Sequence, residues 1–198
     1  MLMFNPLIQV PKKLRANHSI FTQWIGRLLL KLTGWKIKGV FPEEERIILV
    51  AGPHTSNWDF ILALTAMFGL NVNVHWIGKH TIFKNGLSKI MKKLGGIPVN
   101  RTSPELLIHD ITDIVKSYKG IIIAISPEGT RKKVTKLKSG FLRIAQETNG
   151  KIMLAGIDFS TKCIHLSELF HPTGNKDEDL ATVQNYFNKF KGKRPEFS

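Results

Sequence analysis

The sequence predicts an α/β domain whose mixed, mainly parallel sheet is flanked by helices. Two observations predict it. Short apolar runs rich in β-branched residues, such as 47–52 and 120–125, have strand length and end in Gly, Pro or polar turn signals. Between them lie longer stretches with helical spacing of apolar residues, the alternation that builds helix-covered parallel sheets.

In chain order, strands are expected near 35–40, 46–51, 72–77, 96–99, 120–125, 151–158 and 162–166. Helices are expected near 58–69, with Ser56 or Asn57 as its cap, and near 86–94. Three more are expected near 104–117, with Pro104 in the first turn, and near 139–148 and 178–190. The 198 residues, 42% hydrophobic, suffice for one ordinary core, and no linker, repeat or low-complexity segment divides them. A single cysteine, Cys163, allows no internal disulfide and reads as a buried, inert thiol in a reducing cytoplasm.

A net charge of +14 and a pI near 10.0 call for a polyanionic partner, either nucleic acid or an anionic membrane. The first 42 residues hold seven Lys or Arg and no acid. Within them Ile20, Phe21, Trp24, Ile25, Leu28, Leu29 and Leu32 recur at helical spacing opposite Gln23, Arg27 and Lys31. This basic amphipathic helix, over 18–33, is too interrupted to span a bilayer and lacks the cleavage site of a signal peptide. Two placements stay open: lying on a membrane surface, or packed on the domain. Further basic clusters, Lys84, Lys89, Lys92 and Lys93, then Lys132, Lys133, Lys136 and Lys138, suit either an anionic surface or plain solvation.

Function is concentrated in three loops. His54-Thr55-Ser56-Asn57-Trp58-Asp59 sits where the strand at 46–51 passes into the next helix, the position at which open α/β sheets build their sites. Ser126-Pro127-Glu128-Gly129-Thr130-Arg131 follows the strand at 120–125 and reaches the same sheet edge. Asn100-Arg101 follows the short strand at 96–99. Together these loops resemble the signatures of the glycerolipid acyltransferase family that includes the bacterial lysophosphatidate acyltransferases. His54, Ser56 and Asp59 match His-x-Ser-x-x-Asp, residues 96–101 match Gly-Ile-Pro-Val-x-Arg, and residues 127–131 match Pro-Glu-Gly-Thr-Arg. The resemblance covers about residues 35–160. Ser126 replaces a usual aromatic, and 151–157 lacks the prolines of the family's fourth block, which leaves the chemistry intact and the shape of the substrate pocket open.

The residues also speak for themselves. Moving an acyl group from a thioester to an alcohol requires a base for the attacking hydroxyl, and imidazole suits that task near neutral pH. His54 is the expected base, with Asp59 fixing its tautomer and steadying the imidazolium. No Ser or Cys nucleophile is then needed. Arg101 and Arg131 suit bidentate phosphate binding, with a solvated basic surface as the alternative. Glu128 is expected to hold Arg131 or a substrate hydroxyl, and Gly129 to permit the tight turn between them. Ser56, Thr130 and Lys79 complete the expected substrate-binding set.

The resemblance thus implies an O-acyltransferase acting on a lysophospholipid, foremost 1-acylglycerol-3-phosphate. Acyl-CoA or acyl carrier protein would be the donor, with no cofactor, and no metal is predicted. It divides the chain into a membrane-interface segment, 1–34, and an acyltransferase domain, 35–198, peripheral on the inner face of the membrane. A lysolipid acceptor without a phosphate, such as a lyso-aminolipid, is the nearest alternative. A basic nucleic-acid-binding module explains the charge but leaves the loops idle, and the chain has no aromatic-rich recognition strand or zinc finger, so no nucleic-acid partner is expected.

Overall fold

The computed structural model describes residues 8–84, 86–99, 104–131 and 133–197. Seven strands form one sheet: β1 (Lys36–Lys38), β2 (Arg46–Gly52), β3 (Val74–Lys79), β4 (Gly96–Val99), β5 (Ile121–Ile125), β6 (Lys151–Asp158) and β7 (Cys163–Phe170). The spatial order is β1-β7-β6-β2-β5-β3-β4, and every neighbouring pair is parallel except the β6–β7 hairpin. The expected mixed, mainly parallel sheet is therefore present. Helices α1 (Ile20–Thr33), α2 (Asn57–Leu70), α3 (Leu87–Lys93), α4 (Pro104–Ser117), α5 (Gly140–Thr148) and α6 (Lys176–Phe187) complete the fold.

Side-chain alternation along the strands sorts the core into two layers. Ile48, Val50, Ile121, Ile123, Ile152 and Leu154 pack under Ile111 and Val115 of α4, Phe141 and Ile144 of α5, and Val183 and Phe187 of α6. On the opposite face Ile47, Ile122 and Met153 meet Met67 and Leu70 of α2 together with Val10 and Leu14. Leu14 is fully buried there, so the segment ahead of α1 packs against the same body as the sheet.

Several boundaries shift for local reasons. The strand expected from 35 becomes Lys36–Lys38, because Gly34 ends α1 in the left-handed conformation and the Trp35 N–H still donates to Leu30 O. Similarly, Asn71 closes α2 at φ 56° and the Val72 N–H returns to Met67 O, so β3 starts at Val74 and runs on to Lys79. β7 reaches Phe170, well past the expected 166, because Ile152 of the long β6 finds its partner there. α6 starts at Lys176, where Asn175 Oδ1 accepts the N–H groups of Asp177 and Glu178.

α1 packs on α2. Its buried residues are Gly26 and Leu30, while Gln23 and Arg27 are half-buried and Lys31 is exposed; Arg27 Nε donates to Gly69 O at 2.9 Å. Paired glycines make this close approach possible, since a Cβ on Gly26 would stand 2.9 Å from both Thr65 O and Gly69 Cα, and nearer still to Gly69 N. Most of the apolar stripe faces outward, with Ile20 85%, Leu32 73% and Phe21 69% exposed. Among the described residues no helix is long and apolar enough to cross a membrane.

Candidate active site

β2 lies between β6 and β5, while the chain leaving it crosses over β5 to reach β3. The loop after β2 therefore opens at the carboxyl edge of the sheet, where the strand order reverses and parallel sheets leave a crevice. It passes through a cis Gly52–Pro53 peptide bond into His54, and α2 begins three residues later.

Asp59 organises this loop. It occupies the first turn of α2 and is 2% exposed. Its Oδ2 accepts the backbone N–H groups of Thr55 and Ser56, each at 2.8 Å, and lies 3.1 Å from His54 Nδ1. Ser56 Oγ accepts the Trp58 N–H at 3.3 Å, and the Ser56 side chain with the Asp59 N–H, together with the Asp59 carboxylate and the Ser56 N–H, makes a capping box. The carboxylate also sits at the positive end of the helix dipole. With Nδ1 held as a donor to Asp59, the lone pair of the imidazole is on Nε2, and the side chain keeps about a quarter of its surface open.

Glu128 locks the loop from the neighbouring strand. Its Oε1 accepts the His54 backbone N–H at 2.9 Å, across 74 residues of sequence. Burial pushes its carboxyl above the usual range, against the opposing pull of that hydrogen bond. Gly129 turns the chain at φ +66°, a left-handed conformation that suits glycine. Thr130 and Arg131 follow on the exposed side of this turn, and no ion pair joins Glu128 to Arg131.

The sequence profile of the acyltransferase family matches residues 14–158. The chain belongs to the acyltransferase family. Its fold is similar to that of the 1-acyl-sn-glycerophosphate (LPA) acyltransferase PlsC from Thermotoga maritima, at 16% identity and a TM-score of 0.59, over 87% of this chain and 80% of that one. No curated protein sequence matches it.

His54, Asp59, Glu128 and Gly129 thus meet at the ends of adjacent strands β2 and β5, as the sequence of this acyltransferase suggests. Two of these residues take structural tasks in the loop. Ser56, expected among the substrate-binding residues, is nearly buried and spends its hydroxyl on the helix cap. Glu128 holds the His54 backbone in place of the Arg131 guanidinium, leaving Oε2 buried and without a hydrogen-bond partner among the described residues. Lys79 closes β3 on the same edge but beyond β5, two strand spacings or on the order of 10 Å from β2. Arg101 follows Val99 of β4 by two residues and lies outside the described residues. Cys163 is buried away from the dyad in β7, and burial pushes its thiol up.

The C-terminal segment is the part of this acyltransferase site that sequence reasoning missed. After α6 it runs back over the carboxyl edge, where the Arg194 N–H donates to Thr55 Oγ1 at 3.2 Å, one residue from His54. Phe187 covers Gly52 and Phe190 covers Gly156, glycines paired in register on β2 and β6. A glycine in each of two strands, with aromatic residues ten or more positions past the last strand, is the signal that could have revealed it.

Asp158, at the end of β6, ties this strap down. Burial alone would raise its carboxyl, but hydrogen bonds from Thr161 Oγ1, Ser160 Oγ and N, and Lys191 N outweigh that and hold it at about 2. A depressed carboxyl contributes stability that is complete above its ordinary 3.8 and is lost as pH falls towards about 2. Chemical denaturation across that window should therefore show the wild type losing stability more steeply than Asp158→Asn, with the two curves converging at the acid end. Parallel curves would mean that Asp158 is not ionised in the folded protein.

Proposed function

We propose that this acyltransferase transfers a fatty acyl chain from the thioester of CoA or acyl carrier protein to the free hydroxyl of a lysophospholipid, foremost 1-acylglycerol-3-phosphate, giving phosphatidate. The observation that carries the reading is a His–Asp dyad with an open imidazole at a sheet edge and, among the described residues, no Ser, Thr or Cys side chain hydrogen-bonded to that imidazole. In the reaction His54 Nε2 takes the hydroxyl proton as the oxygen attacks the thioester carbonyl. The C–O bond forms, the C–S bond breaks, and the same proton passes from His54 to the departing thiolate. Asp59 holds the ring and balances the imidazolium between those two events.

A phosphate on the acceptor would give Arg131, beside this loop, and Arg101, two positions after Val99 in the sequence, a common purpose. Supporting that choice is the similarity in fold to a protein described as a 1-acyl-sn-glycerophosphate acyltransferase. A hydrogen bond from a guanidinium to a phosphate is worth about 1.5–3 kcal/mol. Arg131→Ala should accordingly lower kcat/KM for lysophosphatidate about 10- to 100-fold, and for a monoacylglycerol far less, as read by free-thiol release from acyl-CoA. Equal losses on the two acceptors would remove the phosphate contact and favour a phosphate-free lysolipid.

The acceptor's acyl chain keeps it in a bilayer, so the enzyme must work at the membrane surface, in this reading the cytoplasmic leaflet. Support comes from α1, which buries only Gly26 and Leu30 and exposes Ile20, Phe21, Trp24, Leu29 and Leu32, an apolar face available to lipid. Trp58 and Ile61 of the adjoining α2 are exposed as well, which carries the apolar surface to the first turn after His54. Sedimentation with phosphatidylglycerol vesicles should pull the protein down at low salt and release part of it at high salt. Phe21→Ser with Trp24→Ser should weaken the salt-resistant part while leaving the melting temperature nearly unchanged, because both side chains already face out. A lower melting temperature with unchanged sedimentation would assign the stripe to folding instead.

A further inference from the structure

A cleft of about 420 Å³ runs between the turn after β5 and the C-terminal strap. Pro53 and Glu128 form its inner end, directly beside His54. Its walls are Val134, Phe187, Phe190 and Phe197, and the exposed Lys133 and Lys191 stand among its lining residues. Glu128 is 8% exposed, and its Oε2 has no hydrogen-bond partner among the described residues. The cleft flanks α6, on the face opposite the one that α1 and α2 cover.

On the acyltransferase reading above, two substrates must reach His54 from different surroundings. The lysolipid arrives with the membrane, on the side of α1 and α2. We infer that the cleft receives the phosphopantetheine arm of the acyl donor, with Lys133 and Lys191 binding its phosphate and its thioester end lying against Pro53 and Glu128. The chemistry matches along its length. Cations suit the phosphate at the exposed end, and aromatic walls suit the uncharged chain. The reacting carbonyl is thereby delivered next to Pro53 and His54. CoA and acyl carrier protein carry the same arm, so the site serves either.

The test is a double variant, Lys133→Gln with Lys191→Gln, at positions exposed enough to spare the fold. Against acyl-CoA and against acyl-acyl carrier protein, the donor KM should rise about tenfold for each that is used, the response expected when a charge-assisted phosphate contact is lost. The acceptor KM should stay within about twofold, and an acyl-pantetheine lacking the phosphate should be used equally well by both proteins. Turnover with only one of the two donors names the physiological source, whereas a donor that is used but unaffected by the double variant counts against the assignment. An unchanged KM for both donors, a rise in the acceptor KM instead, or an equal loss on acyl-pantetheine overturns the assignment. NMR titration with phosphopantetheine itself separates this cleft from the wider function. Shifts at the amides of Phe190, Lys191 and Phe197, weakened in the double variant, support it even if the acceptor is not a lysophospholipid. Shifts confined to α1 and α2, or none at the strap, exclude it.

Discussion

One carboxylate oxygen does most of the organising in this molecule. Asp59 Oδ2 gathers the N–H groups of Thr55 and Ser56 and the imidazole of His54 around a single point at the start of α2. The same contacts cap the helix, terminate β2 and orient the base, so fold and site share one hydrogen-bond system. Removing the charge from such a cluster leaves buried donors unpaired, which costs more than any one of the bonds contributes. The supports around it follow that logic. Glu128 reaches in from β5 to hold the His54 backbone, and the strap holds Thr55 from the other side. The imidazole keeps an open face while its backbone is fixed by neighbours, the preorganisation that general-base chemistry requires.

The second constraint is the close crossing of α1 and α2. Gly26 and Gly69 let two backbones approach so nearly that no side chain fits between them, and Arg27 donates to Gly69 O there. Beside that crossing Leu30 packs with Leu62 and Ala66 of α2, and the remaining apolar residues of α1 are left exposed. The exposed stripe, the basic charge of the first 42 residues and the adjoining exposed Trp58 are the observations on which the proposed lipid contact rests.

The strand runs and the three loops were legible because each rests on local chemistry. Buried parallel strands read as short β-branched runs such as Ile121–Ile125, and a helix start reads as Ser56 followed three residues later by Asp59. What was not legible depends on which surfaces meet. Periodicity shows that α1 has an apolar face but not which face turns inward, since the deciding feature is a glycine on each of two helices 43 positions apart. The strap escaped notice because Phe187, Phe190 and Phe197 carry no periodicity of their own and make sense only against Gly52 and Gly156, residues that the fold brings to them.

The claim on which everything else rests is that His54, oriented by Asp59, is the base for direct attack by an acceptor hydroxyl. Free-thiol release from an acyl thioester, measured with lysophosphatidate for wild type, His54→Ala and Asp59→Asn, tests it most directly. A positioned base and its orienting acid each account for about 10²–10⁴ in rate. Both variants should fall by such factors while circular dichroism shows the fold intact. Turnover near the wild-type value in a folded His54→Ala protein would contradict the account.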